Sequence, residues 1–160
     1  MKTTDLCDQF PDRVHVCEIF FQSFGKRKMF SGEIYTVRVF EDNVLVKQAL
    51  ETIPAGSVLV VDGGGSKKCA LLGDRLAGIA VNRGLSGIIV HGCIRDSADI
   101  AQLDIGVLAL GTNPRKSRKE GKGETNIPVS FAGVDWEPGH YVYVDEDGVI
   151  VASEQLVLGE

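Results

Sequence analysis

An α/β fold, with a central βαβ unit flanked by β-hairpins, is what this 160-residue chain predicts from three features. The run Ser57–Asp62 is apolar almost throughout, as in a strand covered on both faces. A helical apolar pattern and a second apolar strand follow it, and the three together span roughly 35 residues, the length of a βαβ unit with parallel pairing. The last third of the chain is a series of short strand-like runs separated by turns.

In order along the chain, Thr3 and Thr4 are placed to cap a short helix over Asp5–Phe10, which Pro11 ends. Glu33–Phe40 alternates with period two and carries β-branched and aromatic residues, so it reads as a half-buried strand. Asp42 and Asn43 cap a helix through Val44, Leu45, Gln48 and Ala49, closed by Pro54-Ala55-Gly56. After the Ser57–Asp62 strand comes Gly63-Gly64-Gly65-Ser66, then a helix from about Lys68 to Arg83 with Leu71, Leu72, Leu76, Ile79 and Ala80 on its apolar face and Gly84 as C-cap. The next strand is Gly87–Val90. A short helix over Asp96–Leu103 and a strand over Ile105–Ala109 precede a polar, basic loop at 114–124. Strands are then expected at Ile127–Phe131, Val134–Trp136, Tyr141–Val144 and Val149–Val151, with turns at Pro138-Gly139 and Glu146-Asp147-Gly148.

Composition narrows the function classes. The length suggests one domain, 1–160, with a real core. Hydrophobic content of 44% and charged content of 24% are ordinary for a globular protein. A net charge of −5 argues against direct nucleic-acid binding, which asks for a basic face. No apolar run approaches the ~20 residues of a membrane span, and Met1-Lys2-Thr3-Thr4-Asp5 leads into mixed polar sequence without the apolar core of a signal peptide. Cytoplasmic location with reduced thiols is therefore expected. Cys7, Cys17, Cys69 and Cys93 form no CxxC pair, and Cys69 and Cys93 read as buried small hydrophobes.

The segment that carries chemistry is Arg95-Asp96-Ser97-Ala98-Asp99, just after the apolar run ending at Ile94, with Gly73-Asp74 upstream. An arginine is a permanent cation whose planar fork suits a carboxylate or enolate. An aspartate offers the hard oxygen that Mg²⁺ or Mn²⁺ prefers. Together they suit a small keto-acid held on a divalent metal. On local sequence alone the pair also reads as a surface ion pair after a strand, a common feature worth little. Asp62-Gly63-Gly64-Gly65-Ser66-Lys67 fails both nucleotide-binding fingerprints, and reads either as a flexible turn or as a set of free amides facing an anion. His15, His91 and His140 have no metal-ligand spacing. Of the three, His91 is the one in the strand that leads to Arg95. The basic run 115–122 reads as a solvated loop, or as a lid or anion-steering patch beside a site.

The chain closely resembles the RraA-like family, which covers the regulators of ribonuclease activity A and the class II 4-hydroxy-4-methyl-2-oxoglutarate aldolases. The matching segments run in order from Thr4-Asp5-Leu6-Cys7-Asp8 through Phe30-Ser31-Gly32, Val39-Phe40-Glu41-Asp42-Asn43 and Leu59-Val60-Val61-Asp62-Gly63-Gly64-Gly65-Ser66. They continue with Ala70-Leu71-Leu72-Gly73-Asp74, His91-Gly92-Cys93-Ile94-Arg95-Asp96, Asp104-Ile105-Gly106, Gly121-Lys122-Gly123-Glu124 and Asp145-Glu146-Asp147-Gly148-Val149. The family's aldolase signature is a glycine, a spacer, then R-D-x-x-E/D, which Gly73, Arg95, Asp96 and Asp99 fill.

The resemblance implies a swivelling β/β/α fold and a homotrimer with sites near subunit boundaries. It implies that Asp96 anchors a Mg²⁺ or Mn²⁺ ion, that Arg95 contacts the substrate, and that the Gly73-Asp74-Arg75-Leu76 backbone receives a pyruvate carboxylate. The expected activity is aldol cleavage of 4-hydroxy-4-methyl-2-oxoglutarate, with oxaloacetate decarboxylation beside it, and Asp74 ordering a metal-bound water. Aldolases of this class are longer and bring an acidic residue from the C-terminal part of a neighbouring subunit. The chain ends at Glu160, short of that extension, so metal binding is expected to be weak and decarboxylation to survive better than aldol cleavage. It keeps the aspartate of R-D that the ribonuclease regulators often lack. The alternative function is a protein regulator whose acidic surface docks on an endoribonuclease of the RNase E type. No S-adenosylmethionine fingerprint is present to support methyl transfer.

Overall fold

The computed structural model describes residues 1–159. Four helices are present among them, α1 (Thr3–Gln9), α2 (Val44–Thr52), α3 (Asp74–Asn82) and α4 (Ser97–Ile100). The strands are β1 (Val14–Val16), β2 (Gln22–Ser23), β3 (Phe30–Arg38), β4 (Val58–Asp62), β5 (Ala70–Leu72), β6 (Gly87–Ile94), β7 (Gly106–Thr112), β8 (Glu124–Thr125), β9 (Val129–Phe131), β10 (Val134–Trp136), β11 (Tyr141–Asp145) and β12 (Gly148–Ala152). One mixed sheet runs in the order β1-β12-β11-β3-β4-β6-β7-β2.

The long strand β3 joins two sheet regions. Its first residues pair antiparallel with β11 (Phe30 opposite Val144, Glu33 opposite Tyr141), and its remainder pairs parallel with β4 (Ile34 opposite Val58, Arg38 opposite Asp62). The α/β fold and its parallel βαβ centre are as expected, because β4 and β6 pair in parallel from Val58–Gly87 to Asp62–His91. Strand alternation sorts the core. Leu59 and Val61 of β4, Ile88 and Val90 of β6, and Val107 of β7 pack toward α2, α3 and α4. Val58, Val60, Ile89 and Leu108 point the other way, onto Phe131, Val134, Trp136 and Val142. A third cluster of Leu6, Tyr143, Ile150 and Leu156 covers the outside of β11–β12. The layering is helix, parallel sheet, then β-hairpins, a β/β/α arrangement with α1 on the outside.

Several elements differ from expectation for identifiable reasons. The helix expected over Lys68–Arg83 is two elements, β5 and α3, broken at Gly73. Ala70, Leu71 and Leu72 are all buried, and Ala70 and Leu72 pair with Cys93 and Ile94 of β6. A three-residue apolar run satisfies helical and extended patterns alike, so tertiary pairing decides. Consequently β6 continues to Ile94, and the short helix α4 spans Ser97–Ile100 instead of Asp96–Leu103. Thr3 does not cap from outside. It sits inside α1, its amide and hydroxyl each donating to the Asp145 carboxylate at 2.7 Å. Of the two residues expected to cap α2, Asn43 is the N-cap but makes no side-chain capping bond, while Asp42, one residue before it, accepts the Val44 amide at 3.1 Å. The strands β1, β2 and β8 are two or three residues long and carry no readable alternation.

Candidate functional site

The site grows from the split at Gly73. Strands β5 and β6 are parallel neighbours, so their C-terminal ends emerge side by side, and the Arg95 amide donates to the Leu72 carbonyl at 2.9 Å. Gly73 and the first turn of α3 follow one strand, while Arg95 and Asp96 follow the other. The C-terminal ends of parallel strands are where open α/β sheets place their ligands.

Gly73 is required by close approach. A Cβ there would lie 2.7 Å from Oδ2 of Asp96 and 3.6 Å from Nε of Arg95. The Asp96 backbone is left-handed, with φ 57°, a conformation that Asp tolerates better than most non-glycine residues. This turn delivers the carboxylate back to α3, where Oδ2 accepts the Asp74 amide at 3.0 Å. That amide, the adjoining Asp74 carboxyl and the Arg95 cation hold Asp96 below the usual carboxylate range, against partial burial. The Asp74 carboxyl is pushed the other way, first by its hydrogen bond to Asp96 and also by burial and the Asp96 charge. Two neighbouring carboxyls are thus driven apart, one ionised and one inclined to keep a proton.

These residues open onto a cleft of about 700 Å³. Gly73, Asp74, Arg75, Leu76, Arg95 and Asp96 all line it, so every residue singled out for substrate or metal faces one space. Asp99, the last residue of the signature, does not line it, and neither does His91. His91 instead stacks on Phe131 with ring centroids 4.6 Å apart, and its Nδ1 is 3.7 Å from Oδ1 of Asp62. The amides of the glycine loop are used internally. Gly64 donates to Asp62, Gly65 to the His91 carbonyl and Ser66 to the Gly63 carbonyl. The loop leads into β5 and not into a helix, so the reading of it as an anion cradle is corrected.

Sequence reasoning missed Asn43 and Lys47 at the start of α2 as cleft residues, whereas Lys116, Ser117 and Lys119 come from the basic run that it read either as a solvated loop or as a lid or anion-steering patch beside a site. That run is a wall of the cleft, anchored by Ala70 donating to the Arg115 carbonyl and Arg118 to the Glu41 carbonyl, each at 2.8 Å. The available signal was a cationic cluster in a chain of net charge −5.

A divalent metal fits this donor set. Asp96 presents an ionised carboxylate, and the carboxyl of Asp74 crowds it. Mg²⁺ commonly binds through one or two carboxylates plus waters and substrate oxygens, without a full protein cage. No group of three or more His, Cys, Asp or Glu side chains converges among the described residues. The first-turn amides of α3 have no intrahelical acceptor and carry the positive end of the helix dipole, so they suit a carboxylate.

Known proteins share this frame. The family model RraA-like, described as Aldolase/RraA, matches residues 3–151. A Bacillus cereus (strain ZK / E33L) protein, provisionally named as a 4-hydroxy-4-methyl-2-oxoglutarate aldolase, is 58% identical over 97% of this chain and 98% of its own length. A crystal structure from Geobacillus kaustophilus HTA426, described as an S-adenosylmethionine:2-dimethylmenaquinone methyltransferase, is 63% identical with a TM-score of 0.98, covering 100% of this chain and 99% of that one. The structure of the RNA-processing inhibitor RraA from Thermus thermophilis is 46% identical with a TM-score of 0.94, covering 98% of this chain and 95% of that one.

Proposed function

The chain belongs to the RraA-like family, and within it we propose a divalent-metal-dependent lyase that releases pyruvate from 4-hydroxy-4-methyl-2-oxoglutarate by aldol cleavage and from oxaloacetate by decarboxylation. The observation that carries this reading is the contact between Gly73 and Asp96, which sets a low-pKa carboxylate and a guanidinium against the free end of α3. The aldolase name of the Bacillus relative supports the same chemistry.

The 1-carboxylate of the substrate takes the first-turn amides at Arg75 and Leu76. Arg95 directs its cation at the 2-oxo oxygen, where negative charge develops as the C3–C4 bond breaks. Both reactions leave the same pyruvate enolate. In one the other fragment is a second pyruvate, and in the other it is CO₂. Asp96, beside Asp74, would hold Mg²⁺ or Mn²⁺, and the ion when bound would supply Lewis-acid polarisation of the 2-oxo group. Asp74 keeps a proton on its carboxyl more readily than an ordinary aspartate and orders a water beside Asp96. Aldol cleavage also needs a base for the 4-hydroxyl proton, whereas decarboxylation does not, so oxaloacetate is the less demanding substrate.

We propose a homotrimer as the working state. The exposure of Phe20 (98%) and Phe40 (60%) supports burial of apolar surface between copies. The test of function is pyruvate release from both keto-acids with and without EDTA. A second reading, a protein that inhibits an endoribonuclease, draws on the likeness to the Thermus RNA-processing inhibitor and on the acidic charge. Slower RNA cleavage by a purified endoribonuclease, with no pyruvate released from either acid, would favour it.

A further inference from the structure

The cleft holds Lys47, Arg75, Arg95, Lys116 and Lys119 against Glu51, Asp74 and Asp96, an excess of cations in a chain with 22 acidic and 17 basic residues. One carboxylate and one oxo group account for α3 and Arg95. They leave the lysines on the 116–119 wall without a counterpart. A lysine is a compact point charge that meets a carboxylate without the geometric demands of a guanidinium fork.

That wall is held in place with unusual thoroughness for a run of charged residues. Asp42 is 2% exposed and accepts the amides of Glu120 at 2.8 Å, Gly121 at 3.3 Å and Lys122 at 3.4 Å, besides that of Val44 at 3.1 Å. Gly121 has φ +82°, the left-handed turn that lets three successive amides converge on one carboxylate. Nζ of Lys119 donates to Oδ1 of Asn43 at 3.0 Å, and Nδ2 of Asn43 donates to the Leu71 carbonyl at 3.3 Å. The lysine is thereby tied to β5, the strand that ends just before Gly73.

We infer that the 116–119 wall is a subsite for the second carboxylate of a dicarboxylic 2-oxo acid, with Lys119 and Lys116 as its cations and Asp42 as the positioning residue that holds it. The inference deepens the lyase reading and rests on it. Asp42 touches no substrate. It acts by fixing the backbone that carries the lysines, so the subsite selects dicarboxylates over monocarboxylates.

The test compares two reactions of the same enolate in the full protein with Mg²⁺. These are decarboxylation of oxaloacetate, and exchange of pyruvate methyl protons with solvent deuterium, which involves no second carboxylate. The readout is the ratio of the two kcat/KM values. Lys119→Gln, at an exposed side chain, should lower that ratio by up to about fivefold through a higher KM for oxaloacetate, the scale of one exposed ion pair. Lys119→Arg should restore it. Asp42→Asn, if folded, should lower the ratio in the same direction. A ratio unchanged in Lys119→Gln overturns the subsite, while measurable activity of the unaltered protein leaves the lyase reading standing. If Asp42→Asn slows both reactions equally, Asp42 serves stability alone and its positioning role is overturned. If the unaltered protein catalyses neither reaction, the lyase reading falls and the subsite with it.

Discussion

The Asp74 amide donates to the Asp96 carboxylate at 3.0 Å while the two side-chain carboxyls adjoin, so one residue both stabilises and crowds its neighbour. The backbone of residue 74 lowers the pKa of Asp96. The side chain of residue 74 has its own pKa raised in return.

The consequence for stability has a definite sign. Asp74 binds its proton more tightly in the folded state than in the unfolded one, so its ionisation weakens the fold as pH rises through the carboxylate range. Asp96 has the opposite shift, and its contribution is present above the ordinary carboxylate range and lost as pH falls. Asp74→Asn removes the like charge and keeps the amide. The variant should melt at or slightly above the unaltered protein at pH 7, with the difference vanishing toward pH 3, and should release pyruvate more slowly. Thermal melts across that pH range, beside a pyruvate assay, check both halves.

Gly73→Ala tests close approach. The added Cβ would stand 2.7 Å from Oδ2 of Asp96, so the carboxylate must shift. The backbone at Gly73 has φ −130°, which alanine adopts freely. Folding should therefore persist, with circular dichroism unchanged, while kcat/KM for oxaloacetate falls by about 10²-fold, the scale of a misplaced catalytic group.

Arg95 separates charge from shape. Arg95→Lys keeps the cation and loses the planar fork, so some activity should remain, while Arg95→Ala should lose about 10²-fold or more in kcat/KM. Arg95 lies exposed on the cleft, so both variants should melt near the parent temperature. Wild-type turnover by Arg95→Ala would make this residue structural.

How much of this was legible in the sequence depended on how each residue earns its position. The strand Val58–Asp62 and the first half of β6, Gly87–Val90, both buried, declared themselves by continuous apolar content. Arg95, Asp96 and Gly73 were legible as a motif. That they meet was not, because the meeting depends on β5, and Ala70-Leu71-Leu72 carries no signal that distinguishes strand from helix. The lysine wall was half legible: its residues read as a solvated basic run or as an anion-steering patch beside a site, and what decides between the two is long-range, through Glu41, Ala70 and the buried Asp42, which lies 78 residues upstream of Glu120.

Assembly is open to direct measurement. Light scattering should give a mass near three times 17.3 kDa. Replacing exposed Phe20 with Asp should shift that mass downward, because Phe20 is 98% exposed in the single chain.

Pyruvate release by the unaltered protein and by Asp96→Ala, each assayed on oxaloacetate with Mg²⁺ and then with EDTA, tests the central claim most directly. The unaltered protein should turn over with Mg²⁺, stop in EDTA and recover when Mg²⁺ or Mn²⁺ is restored. Asp96→Ala should be slower by at least about 10²-fold in kcat/KM, the loss expected when a group acting in the transition state is removed. Equal turnover by the two proteins, or full activity in EDTA, would contradict a metal-dependent lyase centred on Asp96.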